Sequence, residues 1–176
     1  PITRWLPKES LPVALRPLIH WTLAEVADAG LSRAIVVTNP AKPLLGAIAR
    51  EFVAESGLEI VLVSQDRPAG LGDAMMRTRH LVEAQPFAVV LPDNLFRGPN
   101  QTAAVLAGWH QFAMATVLVA EISAEGAQSK GATGRARVRQ EPDGSWRVID
   151  IADKGRGRFD IGLDERPVTP IGSFGL

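Results

Sequence analysis

Four times in the first 122 residues, a segment with apolar groups at helical spacing is followed by a short β-branched run, and this alternation most narrows the folds open to the chain. From Pro17 to Ala29, Leu18, Trp21, Leu23, Val26 and Ala27 form a stripe, weakly joined by Thr22, and Gly30 supplies the left-handed position that ends helices. Arg33 to Thr38 then reads as a buried strand bounded by Asn39-Pro40. A helix through Leu44, Leu45, Ile48, Ala49, Phe52 and Val53, closing at Ser56-Gly57, precedes the strand Glu59 to Val63. A helix from Leu71 to Glu83 precedes Phe87 to Leu91, and one near Thr102 to Phe112 precedes Thr116 to Ile122. Strands separated by helices pair in parallel through right-handed crossovers, with both sheet faces covered. Past this point the rhythm changes. Arg135 to Gln140, the turn Pro142-Asp143-Gly144 and Trp146 to Ile151 have a hairpin signature. The expected class is α/β, with a mixed, mainly parallel sheet and an antiparallel hairpin in the C-terminal half.

A chain of 176 residues suits one domain and buries a core without disulfides or a structural metal. No apolar run approaches the roughly 20 residues that span a bilayer. Lys plus Arg number 19 and Asp plus Glu 19, so no net field draws the chain to nucleic acid or to anionic membranes. Any phosphate site must therefore be local, and the expected partner is small. The absence of cysteine excludes disulfides and thiolate chemistry and leaves the redox compartment undecided. Neutrality says little about assembly, and a homo-oligomer remains open.

Ligands of open α/β sheets bind beyond the carboxyl ends of the strands, so the segments after each strand are the first candidates. After Glu59 to Val63, Gly70 and Gly72 stand where a loop enters a helix, allowing close backbone approach, and Gln65 both donates to and accepts from a nucleobase edge. The plainer reading is a turn and a helix start. Asp93, after Phe87 to Leu91, is placed to hold Mg²⁺ against a phosphate; Asp93-Asn94 is also ordinary turn chemistry. Lys8, in the proline-framed loop Pro7 to Pro12, offers a point charge for phosphate, although most exposed lysines have no such role. Asp153-Lys154 is a further candidate, or a solvated charge pair. His20, His80 and His110 lie on helices without ligand spacing and read as structural or exposed. Gly155 to Gly162 is glycine-rich and basic, the composition of a mobile loop.

Taken in order, these segments resemble the sugar-1-phosphate nucleotidylyltransferases, and especially the bacterial UTP:glucose-1-phosphate uridylyltransferases, over nearly the whole chain. Pro7-Lys8-Glu9-x-Leu11-Pro12 with Arg16-Pro17-Leu18-Ile19 is similar to the family's Pro-Lys-Glu-Met-Leu-Pro and Lys-Pro-Leu-Ile run. Gln65-x-x-x-x-Gly70-Leu71-Gly72-x-Ala74 has the spacing of its nucleobase loop, Leu91-Pro92-Asp93 resembles its magnesium motif, and Asp153-Lys154 stands where Glu-Lys-Pro is usual. The resemblance implies a Rossmann-like three-layer α/β/α domain, a nucleoside triphosphate and a sugar 1-phosphate as ligands, Mg²⁺ as cofactor and a cytoplasmic enzyme of carbohydrate metabolism. It implies that Gln65 and Gly70 read the uracil, with Leu71, Gly72 and Pro92 in the nucleotide site. Asp93 would bind Mg²⁺, Lys8 would contact the triphosphate and Lys154 would hold the sugar phosphate. Gly134, in a segment similar to the family's Tyr-Gly-Val, would approach the sugar, and Asp153 would hydrogen-bond one of its hydroxyls. The reaction implied is in-line attack by the sugar phosphate on the α-phosphorus of UTP, with release of pyrophosphate. A nucleophile that is already anionic needs positioning and charge neutralisation rather than a general base.

The departures are specific. The family's Gly-x-Gly-Thr-Arg signature loop belongs just upstream of Ile2-Thr3-Arg4, and its second metal-binding aspartate belongs well beyond Gly172-Ser173-Phe174. Residues 1–176 are therefore expected to be a single domain incomplete at both ends. Ala69 stands for a common lysine, Arg135 for an apolar residue and Gly155 for a proline. A thymidylyltransferase and a non-catalytic nucleotide-sugar-binding or regulatory relative are the alternatives.

Overall fold

In the computed structural model, which describes residues 6–123, 134–152 and 161–175, the chain divides into two compact units, 1–116 with 172–176, and 117–171. The first unit opens with a short 3-10 turn, Lys8–Ser10, and a hairpin of β1 (Pro12–Val13) and β2 (Arg16–Pro17). Ala14 and Leu15 at its tip both take positive φ, 47° and 69°. Two-residue hairpin loops favour that geometry, and residues with a Cβ pay roughly 1–2 kcal/mol each for it. The indole of Trp21 donates to the Val13 carbonyl at 2.9 Å, and the Leu18 N–H donates to the Leu11 carbonyl at 3.0 Å, which ties the hairpin down.

The helix and strand alternation follows as read: α1 (Leu18–Asp28), β3 (Arg33–Thr38), α2 (Pro43–Ser56), β4 (Glu59–Ser64), α3 (Leu71–Val82), β5 (Ala88–Val90) and α4 (Gln101–Phe112). Gly57 ends α2 at φ 71°, the left-handed conformation that glycine adopts without strain. β3 and β4 pair in parallel over their full length, Arg33 opposite Glu59 and Thr38 opposite Ser64. Ile19, Leu23 and Val26 of α1 interlock with Leu45, Ala49 and Phe52 of α2 and with Leu58, and Ala34, Val36, Ile60 and Leu62 of the strands pack against them. Full burial of such side chains stabilises by about 1.5–3 kcal/mol each. His20 belongs to this core. A ring nitrogen lies 2.9 Å from the Ile48 carbonyl oxygen, and the ring packs on Phe52.

β5 corrects one expectation. Its described ladder is antiparallel, to the end of β9 (Glu165–Gly175), with Ala88 opposite Gly175 and Val90 opposite Ser173. β9 has no counterpart in the sequence reading, because Pro167 and Pro170 argue against a strand wherever the ladder needs an N–H. Here Pro167 contributes through its carbonyl, which accepts from the Ile122 N–H at 3.1 Å.

The second unit holds most of β6 (Thr116–Glu121), β7 (Arg135–Gln140), β8 (Trp146–Ala152) and the first residues of β9. β7 pairs antiparallel with both β8 and β9. At the Pro142-Asp143-Gly144 turn the Asp143 carboxylate accepts from the backbone N–H and the hydroxyl of Ser145, at 2.9 and 2.6 Å, and both bonds hold its pKa below the usual aspartate value. Ala136, Val138 and Val168 form a small core, with Val119 and Val148 against it. The segment Gly155 to Gly162 lies largely outside the described residues. No helix among the described residues is long and apolar enough to cross a membrane.

Candidate active site

Lys8 and Asp93, 85 residues apart in sequence, meet in the first unit. The Lys8 Nζ donates to Asp93 Oδ2 at 2.7 Å. Lys8 reaches this position from the 3-10 turn, whose Ser10 hydroxyl donates to the Pro7 carbonyl at 2.7 Å, and Asp93 projects from the turn that follows β5. Pro92, between them in the chain's path from β5, is half-buried. The hydrogen bond to Asp93 holds the Lys8 ammonium above its ordinary pKa, against a smaller opposing effect of desolvation. With side-chain exposures of 53% and 43%, the pair is screened by water and contributes little to stability. Its meaning is positional: a cation and a hard carboxylate oxygen share one open spot where a strand ends.

A second group forms after β4. Gln65 extends the strand by donating its N–H to the Thr38 carbonyl at 2.7 Å, and its side-chain amide turns toward the start of α3. There Gln65 Nε2 donates to the Gly70 carbonyl at 3.1 Å and to Asp73 Oδ2 at 2.7 Å. The guanidinium of Arg77, one turn further along α3, donates to the same Asp73 oxygen at 2.8 Å. Arg77 first, and Gln65 second, hold the Asp73 carboxyl below the usual aspartate range. Gly70 caps the helix at φ 91°, where any other residue would be strained. Gly72 is different. A Cβ added there would meet nothing within 4 Å, so internal packing does not explain it, although glycine within a helix costs about 0.5–1 kcal/mol relative to alanine. Open space beside Leu71 and Gly72 at a helix start is what a closely approaching ligand requires.

The structure thus brings Lys8 together with Asp93, and Gln65 together with Gly70. Asp73 and Arg77 were not among the expected site residues; their i,i+4 spacing on α3 was the available signal. Gly134 precedes β7 in the second unit. Its carbonyl accepts from the Thr169 hydroxyl at 2.8 Å, and a Cβ there would lie 3.8 Å from the Ala152 carbonyl oxygen, an ordinary contact. Asp153 and Lys154 lie outside the described residues. His80 and His110 are exposed, and no group of three or more His, Cys, Asp or Glu among the described residues could hold a metal ion.

Comparison with known proteins places these features in a lineage. A family model described as nucleotidyl transferase matches residues 1–149. This chain belongs to the nucleotidyl transferase family. Among its curated relatives, a UTP–glucose-1-phosphate uridylyltransferase of Pseudomonas aeruginosa is 29% identical over 177 residues, covering 88% of this chain and 62% of the relative. A glucose-1-phosphate thymidylyltransferase of Mycobacterium tuberculosis is 28% identical over 186 residues, covering 100% of this chain and 54% of the relative. The chain spans between about two fifths and just under two thirds of the length of the curated relatives it matches. A crystal structure of UDP-glucose pyrophosphorylase complexed with UDP-glucose superposes at a TM-score of 0.80 with 23% identity, covering 100% of this nucleotidyl transferase chain and 70% of the other, and establishes the shared fold.

Proposed function

We propose that this chain carries the nucleotide site of an Mg²⁺-dependent enzyme that transfers the uridylyl group of UTP to glucose 1-phosphate, giving UDP-glucose and pyrophosphate. The observation that carries the reading is the meeting of Lys8 and Asp93 at 2.7 Å where β5 ends, within a chain of nucleotidyl transferase lineage. The donor set suits the ion. Magnesium takes one or two carboxylates and completes its shell with water and substrate phosphates, and Asp93 is one exposed carboxylate of that kind. When bound there, the ion would neutralise charge on the triphosphate.

The remaining work falls to the chain's own groups. On nucleotide binding, Lys8 exchanges the Asp93 carboxylate for triphosphate oxygens, a trade between two anions that keeps its ammonium compensated. Gln65 and the Gly70 backbone read the base edge, while Leu71, Gly72 and Pro92 border the nucleotide. By the resemblance set out above, Lys154 holds the acceptor phosphate, Asp153 takes a sugar hydroxyl and Gly134 allows the sugar ring to approach the backbone. Because the acceptor oxygen is already anionic, alignment and charge compensation supply the acceleration.

The test is Asp93→Asn, which keeps the shape and removes the charge. Pyrophosphate release from UTP and glucose 1-phosphate should fall by about 100-fold or more, as for loss of a group stabilising transition-state charge, with the circular dichroism spectrum retained. Unchanged turnover would sink the proposal. Binding of UDP-glucose without pyrophosphate formation by the unaltered protein would mark it instead as a nucleotide-sugar-binding or regulatory relative. Thymidylyl transfer is the second reading, favoured by the full-chain match to a thymidylyltransferase, and a higher kcat/KM for dTTP than for UTP would select it.

A further inference from the structure

Gln65 carries two amide hydrogens and one carbonyl oxygen, and which of them faces the ligand decides what base it accepts. Both described partners of Nε2, the Gly70 carbonyl and the Asp73 carboxylate, are acceptors without a proton to give. Only the NH₂ end satisfies them, so the amide has one orientation. Both of its hydrogens are committed, and Oε1 has no hydrogen-bond partner among the described residues. Asp73 keeps this arrangement because it is itself held. Arg77 donates to the same oxygen, and the carboxylate sits in the first turn of α3, where the helix dipole favours negative charge.

We infer that Asp73 is a specificity-determining residue that acts through Gln65, locking its amide so that a lone carbonyl acceptor faces the nucleobase and selects bases with a donor at ring position 3. The inference rests on the reading of Gln65 as the base-reading group. Uracil and thymine present N3–H to that oxygen. Cytosine presents an N3 lone pair, which meets the Oε1 lone pair without a shared proton. Without Asp73, only the longer bond to the Gly70 carbonyl, 3.1 Å, still holds the NH₂ end, so the amide turns over more readily, and its NH₂ end then suits cytosine and opposes uracil.

Calorimetric titration of the protein with UTP and with CTP, each in magnesium buffer, tests this. Asp73→Ala should weaken UTP binding and strengthen CTP binding, lowering the ratio of the two affinities roughly tenfold, the scale of one hydrogen bond. Asp73→Asn keeps an acceptor oxygen for Gln65 and should retain most of the ratio. Asp73→Ser, which keeps a residue favoured near helix starts but is too short to reach the amide, gives the same reading as alanine and serves if the alanine variant does not fold. Equal weakening of both nucleotides, or an unchanged ratio, would overturn the role of Asp73, because mere loosening of α3 affects UTP and CTP alike. Gln65→Ala separates the two levels. If it abolishes the discrimination while Asp73→Ala does not, Gln65 reads the base without Asp73; if it changes nothing, the base-reading role itself falls and the inference falls with it.

Discussion

Lys8 and Asp73 are single residues whose titration reports the state of the site. The Lys8 pKa is raised by its bond to Asp93, so what this pair contributes is fully present below the ordinary lysine pKa of about 10.4 and is lost as pH rises through the folded value. The Asp73 pKa is lowered, so its contribution is present above the ordinary aspartate pKa of about 3.9 and is lost as pH falls through the folded value. The amide lock on Gln65 should therefore be intact at neutral pH. In a ¹³C NMR titration, the Asp73 carboxyl should show a midpoint below that of an unpaired aspartate, and Arg77→Met should move it upward, since Arg77 is the largest cause of the depression. A midpoint indifferent to Arg77 would disprove the bond between them. Asp93 was legible as a strand-end carboxylate, and Lys8 as a basic residue in a proline-framed loop. Their contact at 2.7 Å was not, since local patterning carries no information on pairs 85 residues apart.

Elements follow sequence closely where their signals are local. β3 and β7 occupy the expected residues, and α2 and α3 stop where a C-terminal glycine or an end of periodicity predicts, within a residue or two. α4 shows where local signals stop. Asn100 caps it, accepting from the Ala103 N–H at 2.8 Å, as an asparagine before a helix does. A second cap comes from α1: Glu25 Oε1 accepts from the Thr102 N–H at 2.9 Å and from its hydroxyl at 2.8 Å, across 77 residues of sequence. Thr102 is fully buried, so water cannot replace this carboxylate. Glu25→Ala should destabilise the protein by about 1–3 kcal/mol in urea titration, the cost of stranding buried donors, and Glu25→Gln, which keeps an oxygen, by less. Equal stability of Glu25→Ala and the unaltered chain would mean that α4 is capped some other way.

For the whole molecule, charge balance confines any phosphate recognition to local groups, and the two units each carry a core of their own. Phe52, 4% exposed, sits in the larger one between α1 and α2, and Phe52→Ala should cost about 3–5 kcal/mol, lowering the urea midpoint and speeding amide hydrogen exchange in both helices. Unaltered exchange in α1 would refute that packing. The chain's sequence by itself determined the succession of helices and strands, the glycine stop at Gly57, the Asp143-Gly144 turn and the positions of Gln65 and Asp93 at strand ends, because helical period, strand alternation and turn chemistry depend on residues a few positions apart. Tertiary structure alone decided that β5 takes the end of β9 as an antiparallel partner, that Lys8 lands on Asp93, and which end of the Gln65 amide is tied down. Each of these depends on a donor and an acceptor brought within about 3 Å by folding, a geometry to which sequence spacing is blind.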